Sequence, residues 1–270
     1  RSTLFPYTTL FRSPAGKIAF LISAADKIDT LAANFSIGLE PSGSADPYGL
    51  RRAGIGFIRM VMENLPQQDL ACAMDKAFDY LPESVKNNPG FKNAAERLRE
   101  FFWQRIESIL ESEGYAPDEV KAVVGASKAH RMRALGTLRP KLDALKNAKL
   151  KGDFASIAET FKRINNIINQ AKKQNTDISG NINESLLKEM SERELFSAGK
   201  KAAAEVKDYI LRAEYEKVFD KVLELKPAID KFFEKVMVMD KDEEVKKNRI
   251  ALLNSLKNIF VSFVDFSALQ

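Results

Sequence analysis

The sequence contains very little of what most catalytic and metal sites are built from. It has one cysteine, Cys72, and one histidine, His130, among 270 residues. A disulfide framework needs at least two cysteines, and a Cys/His zinc site or a Ser-His-Asp triad has almost nothing to build on here. We therefore predict no catalytic residue and no metal site in this chain. A lone cysteine also fits a reducing cytoplasm, and we interpret Cys72 as a small buried apolar residue.

Long apolar runs are also missing. No run approaches the roughly 18 residues that a membrane-spanning helix needs, so we expect no membrane partner. Hydrophobic residues make up 45% of the chain and charged residues 29%, the proportions of a soluble globular protein. Such a composition excludes a largely disordered chain. At about 100–200 residues per domain, the length indicates one or two domains.

Sustained two-residue alternation, the pattern of a half-buried strand, is absent too. Apolar residues instead recur near the 3.6-residue period of an amphipathic helix. The segments with this period are Ile18–Phe35, Ala95–Leu110, Phe154–Ile168, Ile229–Met237 and Ile250–Val264. The predicted fold class is all-α.

Capping signals agree with helices at several places. Asp46 before Pro47 predicts a helix with the proline at its first position. Pro117 is followed by two acids, which favour a first turn. Ser191–Glu194 has the spacing of a capping box, and Asp240 precedes an acid-rich first turn.

Residues 1–13, RSTLFPYTTLFRS, do not resemble part of a folded protein. A DNA string that encodes Thr3 through Ser13 matches a widely used sequencing adapter. We interpret this stretch as a non-native tail and set it aside. Without Arg1 and Arg12 the net charge falls from +5 to about +3, and the native start is expected to be missing.

Charge is unevenly distributed along the chain. Residues 121–173 contain thirteen basic and three acidic residues, a net of +10, whereas residues 180–270 have a net of −1. An excess of this size favours a surface that faces a polyanion. The alternative, a plain solvated face, stays open at this point.

Several motifs together resemble one family. They are ADKIDTL at 25–31, IGLEPSGSADPYGLRRA at 37–53, KRINNI at 162–167, FFEKVMVM at 232–239 and NRIALL at 248–253. In order and spacing they resemble the C-terminal part of the bacterial glycyl-tRNA synthetase β subunit. Two positions depart from the family pattern: Ala45 replaces a lysine, and Gly49 replaces an alanine and should weaken the helix start by about 1 kcal/mol at most.

The resemblance implies a function. In that family the α subunit makes glycyl-adenylate, and the β subunit chiefly binds tRNA. The chain would be the tRNA-binding part of a cytoplasmic glycine–tRNA ligase, positioning tRNA(Gly) and its anticodon. Its partners would be tRNA(Gly) and the α subunit, in a heterotetramer of two α and two β subunits. ATP and Mg²⁺ are implied for the α subunit, and no cofactor for this chain.

The resemblance also divides the chain. Residues 14–65 would end an HD-like region, 66–178 would form a basic helical body, and 179–270 would form a DALR-like anticodon-binding domain. The candidate RNA-binding residues are basic side chains placed to neutralise phosphate: Arg51, Arg52, Lys128, Arg131, Arg133, Arg139, Lys141, Lys162, Arg163, Lys172 and Lys173.

Other candidates have plainer interpretations. Phe101, Phe102 and Trp103 could stack on unpaired bases, but core packing is favoured for the two phenylalanines. Arg249 is expected to brace the last two helices. Asp26 stands where HD-type phosphohydrolases place a metal ligand, but a lone carboxylate cannot hold a catalytic metal. Two alternatives remain: a truncated HD-type phosphohydrolase, and a helical interaction module without an RNA partner.

Overall fold

The computed structural model describes residues 16–41, 46–64, 70–128, 132, 135–174, 176 and 181–269. Within these ranges it contains eleven α-helices and no strand, which confirms the all-α prediction. The helices are α1 (Lys17–Ser36), α2 (Leu50–Asn64), α3 (Leu70–Asp79), α4 (Glu83–Lys86), α5 (Ala94–Ser112), α6 (Pro117–Lys128), α7 (Leu138–Lys149), α8 (Phe154–Lys173), α9 (Met190–Leu211), α10 (Tyr215–Lys235) and α11 (Glu243–Phe260). Among the described residues, none of these helices has the length and apolar content needed to cross a membrane.

The described residues fall into two compact units. The first is drawn from residues 1–115 and 130–138, and the second from residues 116–129 and 139–270. The boundaries that we predicted from the sequence, at 65/66 and 178/179, lie outside the described residues and stay predictions. The same holds for the interpretation of residues 1–13 as a non-native tail.

In the first unit, α1 packs against α2, α3 and α5. Its buried positions recur every three or four residues and include Phe20, Ile28 and Phe35. The Phe35 ring meets the Phe101 ring of α5 edge to face, with centroids 5.2 Å apart. Such aromatic pairs add stabilisation beyond the area that they bury.

The predicted apolar stripe of α1 is only partly correct. Ile28 and Leu31 are buried, but Ile18, Leu21 and Ile22 are 76%, 56% and 65% exposed. Phe20 and Ala24 take the buried positions instead, because α1 has apolar residues on two faces and only one of them packs on its neighbours.

In the second unit, α8 to α11 surround an aromatic core. The rings of Phe161 and Phe266 stack with centroids 4.6 Å apart, and Phe161 meets Phe260 of α11 edge to face. Phe266 lies in a short 3₁₀ turn, Phe266–Ala268, that packs on α8 and α6. Helix α11 ends at Phe260. The apolar residues of the predicted stripe continue beyond this point, in the segment that follows the helix.

Two helix starts differ from the predictions. Helix α2 begins at Leu50, after a turn that contains Pro47 and a left-handed Gly49 with φ of +67°. Gly49 therefore suits its position and does not weaken the helix, because only glycine adopts this conformation readily. The Asp46 carboxylate still caps α2, accepting hydrogen bonds from the backbone N–H of Leu50 at 2.7 Å and of Arg51 at 3.1 Å.

Helix α9 begins one residue after Glu189, so Ser191 is not its cap. Ser191 is buried within the first turn. The reciprocal cap lies two residues earlier, where Glu192 Oε2 accepts a hydrogen bond from the backbone N–H of Glu189 at 2.7 Å. The acid-rich start of α11 is confirmed, with Asp242 capping the N–H groups of Glu244 and Val245.

The prediction that Cys72 is buried is wrong. Its thiol is exposed on α3, a helix that buries Leu70, Ala71, Met74, Ala77 and Phe78 instead. The spacing of these residues leaves position 72 on the solvent side of the helix.

Candidate nucleic-acid interface

Helix α8 presents four of the predicted RNA-binding residues. It buries Phe161, Ile164 and Ile168 along one stripe. Arg163, Lys172 and Lys173 are exposed, and Lys162 is half-buried. The guanidinium of Arg163 lies over the Phe233 ring of α10, 4.0 Å from its centroid, so an aromatic face stabilises this cation. The two terminal lysines extend into solvent at the end of the helix.

A further lysine belongs to this surface and was missed by the sequence analysis. Burial lowers the pKa of Lys257 on α11. Repulsion from the nearby ammonium of Lys172 lowers it further. Lys257 was overlooked because its segment has a net charge of −1, which gives no local signal.

Lys141 has an unusual environment for a phosphate contact. Its ammonium lies 5.5 Å from the Phe263 ring centroid and 6.0 Å from that of Tyr215. Burial lowers the pKa of Lys141 to about 8. Because burial makes the side chain of Lys141 costly to charge, Lys141 is a weaker partner for phosphate than an exposed lysine.

Other members of the +10 segment are paired within the second unit. Lys149 of α7 lies 3.2 Å from Asp118 and 3.0 Å from Glu119, both at the start of α6. These two hydrogen bonds outweigh the largest single effect, burial, and raise the pKa of Lys149. Lys151 pairs with Asp220 of α10. Part of the excess charge is therefore neutralised by acids that lie outside the segment.

Four further candidates lie in the sequence between the end of α6 and the start of α7. Lys128 ends α6 and Arg139 lies in the first turn of α7, and both are half-buried. Arg131 and Arg133, with His130 beside them, lie outside the described residues.

In the first unit, Arg51 is half-buried and Arg52 exposed in the first turn of α2. Burial lowers the pKa of Arg105 on α5, and the nearby Arg51 charge lowers it further, although Asp46 opposes the effect. Arg51 and Arg105 therefore lie close to each other and to Asp46 within the first unit.

The aromatic and acidic candidates have structural positions. Phe101, Phe102 and Trp103 are all buried, so none presents a ring face to solvent. Asp26 is exposed on α1. Over the ranges that the structure covers, no three His, Cys, Asp or Glu side chains are grouped so that they could hold a metal ion.

Comparisons with known proteins agree with this arrangement. Residues 157–265, which include α9, α10 and α11 and most of α8, match the family profile described as DALR anticodon binding domain. The bundle is thus similar to the DALR class of anticodon-binding domains. Residues 3–125 match the profile described as Glycyl-tRNA synthetase beta subunit. This match confirms the resemblance to the glycyl-tRNA synthetase beta subunit family that was seen in the motifs.

Individual relatives give the same answer. The chain is 34% identical to the glycine–tRNA ligase beta subunit of Citrifermentans bemidjiense over 257 residues, which is 95% of this chain and 36% of that protein. It is 34% identical to the beta subunit of Geotalea daltonii, covering 95% of this chain and 35% of the relative, and 33% identical to that of Shewanella baltica, with 95% and 36%. The chain therefore spans little more than a third of the length of these relatives. None of these comparisons supports a phosphohydrolase.

Proposed function

We propose that this chain is the tRNA-binding part of a glycine–tRNA ligase and that its second unit contacts the anticodon of tRNA(Gly). The observation that carries the proposal is the match of an anticodon-binding profile to a bundle whose first helix ends in exposed lysines. Phosphate contacts from such lysines orient an RNA without reading its sequence. Selection of the anticodon then needs unstacked bases that are held against the protein.

The chemistry of aminoacylation would belong to a partner. We assign glycyl-adenylate formation, with its ATP and Mg²⁺, to the α subunit, in a heterotetramer of two α and two β subunits in the cytoplasm. This chain would contribute position: it would hold the tRNA so that the 3′ end reaches the α subunit. The HD-like, basic and anticodon-binding modules at 14–65, 66–178 and 179–270 remain our prediction for how that work is divided.

The second candidate function is a helical interaction module without an RNA partner. The pairing of Lys149 and Lys151 with acids favours it, because it reduces the cationic excess that first suggested RNA. The two functions predict different salt behaviour. RNA binding releases counterions and weakens steeply with salt, whereas the interaction module would show no such dependence because it would not bind RNA.

The test is fluorescence anisotropy with a labelled tRNA(Gly) transcript over a salt series. Lys172→Gln should weaken binding and reduce the slope of log K against log salt by about one. Lys241→Gln is the matched control, because Lys241 is also an exposed lysine of the second unit but lies beside Asp240 and Asp242. Absence of binding at low salt, or equal effects of the two variants, would contradict the proposal.

A further inference from the structure

A groove of about 470 Å³ runs between the C-terminal halves of α9 and α11, within the second unit. This volume lies in the range of ordinary ligand pockets, roughly 300–1,000 Å³. One wall is α9, which contributes Ala203, Val206, Ile210 and Leu211, and Leu211 is 76% exposed. The groove thus offers an apolar surface that the fold leaves open to solvent.

The other wall carries polar groups. Ser255, Asn258 and Ile259 of α11 line the groove, and Ser262 lines it from the turn that follows α11. The Ser255 hydroxyl donates to the Leu252 carbonyl at 2.7 Å, which leaves its lone pairs available to accept. Asn258 is exposed, and nothing in the described part of the chain hydrogen-bonds its amide. That amide can both donate and accept.

The charge around the groove favours an anionic ligand. Between Lys246 and Val264 the sequence contains no acid. Lys207 lines the groove from α9. The two acids on the same stretch of α9 are neutralised, because Glu205 lies 2.8 Å from Lys221 and Asp208 lies 3.1 Å from Arg212.

We propose that this groove receives one unstacked nucleobase of the bound RNA, with Asn258 as the residue that reads the edge of the base. The proposal rests on the proposed function and names the surface that would give it sequence selectivity. The apolar wall contacts the face of the base, Asn258 bonds its edge, and Lys207 contacts an adjoining phosphate. A groove for a partner helix would carry apolar anchors on both walls, whereas here one wall is lined by three polar side chains.

The test compares two transcripts, tRNA(Gly) and the same tRNA with its anticodon replaced. Ala203→Trp fills the groove from an exposed position, and Ala204→Trp is its matched control on the next, equally exposed residue, outside the groove. We expect the wild-type chain and Ala204→Trp to prefer the native anticodon. Ala203→Trp should bring the ratio of the two dissociation constants close to one. Asn258→Ala should reduce that ratio about tenfold, the effect of one lost hydrogen bond, without changing the salt slope.

The other possible outcomes contradict either the proposed function or the assignment of the groove. If the wild-type chain shows no preference between the transcripts, anticodon reading by this chain is wrong, and the proposed function fails. If it has a preference that Ala203→Trp and Asn258→Ala retain, only the groove assignment is wrong. If Ala203→Trp leaves RNA binding unchanged but weakens association with purified α subunit, the groove is a protein-docking surface. Thermal unfolding of both tryptophan variants checks that each is folded.

Discussion

Arg249 and Glu192 form a buried ion pair in which the arginine Nε lies 2.6 Å from the carboxylate Oε1. The same arginine donates to the Met237 carbonyl at 2.9 Å and bonds Asp240, in the connection between α10 and α11. The other oxygen of Glu192 caps the backbone of Glu189. One pair thus joins α11 to the start of α9 and to the connection before α11. Arg249 therefore braces the bundle as expected, but its buried partner lies on α9 and not on α10.

Breaking this pair from one side should be costly. Arg249→Met leaves a buried Glu192 carboxylate without its cation, and we expect a loss of about 3–5 kcal/mol in the free energy of unfolding. The double variant Glu192→Gln with Arg249→Met removes the uncompensated charge and should recover much of that loss. Urea unfolding followed by circular dichroism measures both. A loss below about 1 kcal/mol in the single variant would show that the pair is not needed.

Lys141 should make stability depend on pH. Its pKa falls from 10.5 to about 8 on folding because the ammonium is buried. Below pH 8 both states carry the proton, and the folded state bears the full penalty. Between pH 8 and 10.5 the unfolded chain holds a proton that the folded chain has lost, so the free energy of unfolding rises with pH.

Lys141→Met should therefore be more stable than the wild type at pH 7, on the order of 1–3 kcal/mol. The difference should shrink as pH rises towards 10. Urea unfolding at pH 7, 8, 9 and 10 measures it. Lys146→Met is the control, since Lys146 is exposed on the same helix and should give no pH-dependent difference. Parallel curves for the wild type and Lys141→Met would exclude a buried ammonium.

Two glycines on α2 should respond oppositely to alanine. A Cβ at Gly54 would lie 2.7 Å from Cε1 of Phe101, whose ring is packed against Phe35 and Phe102. We expect Gly54→Ala to cost about 1–3 kcal/mol through overpacking. A Cβ at Gly56 would meet only the Lys27 Cε at 3.5 Å, so Gly56→Ala should stabilise the helix by about 0.5–1 kcal/mol. Thermal unfolding gives both signs, and equal effects would contradict this packing.

The Cys72 thiol should react in the folded protein. Because it is exposed on α3, we expect Ellman's reagent to titrate one thiol per chain at a rate close to that in urea. Cys72→Ser is the blank. If the thiol reacts about a hundredfold more slowly in the folded protein than in urea, Cys72 is buried, as we predicted from the sequence.

The helices were predictable because their signal is local. The stripe through Phe161, Ile164 and Ile168 follows from spacing alone, and the structure buries all three. Cap positions were less predictable, since two pairs of capping residues lie three residues apart, Glu189 with Glu192 and Ser191 with Glu194. The side chain of Glu192 bonds Arg249 in the core, and this contact decides which pair forms the cap. Arg249 lies 57 residues further along the chain.

The candidate site was predictable only in part, because its electrostatics depend on tertiary contacts. The partner of Lys151 is Asp220, 69 residues further along the chain, and nothing near Lys151 in sequence indicates it. Lys257 joins Lys172 only because α11 packs on α8. The groove between α9 and α11 likewise has no signal in either helix alone.

The most direct test of the account is the ratio of dissociation constants for tRNA(Gly) and for the same transcript with its anticodon replaced. It is measured on the 270-residue chain at one fixed salt concentration. We predict that the chain binds the native transcript about tenfold more tightly, because base contacts add to the phosphate contacts that both RNAs share. Equal binding of the two transcripts would reduce the second unit to an electrostatic surface and would contradict its role in reading the anticodon.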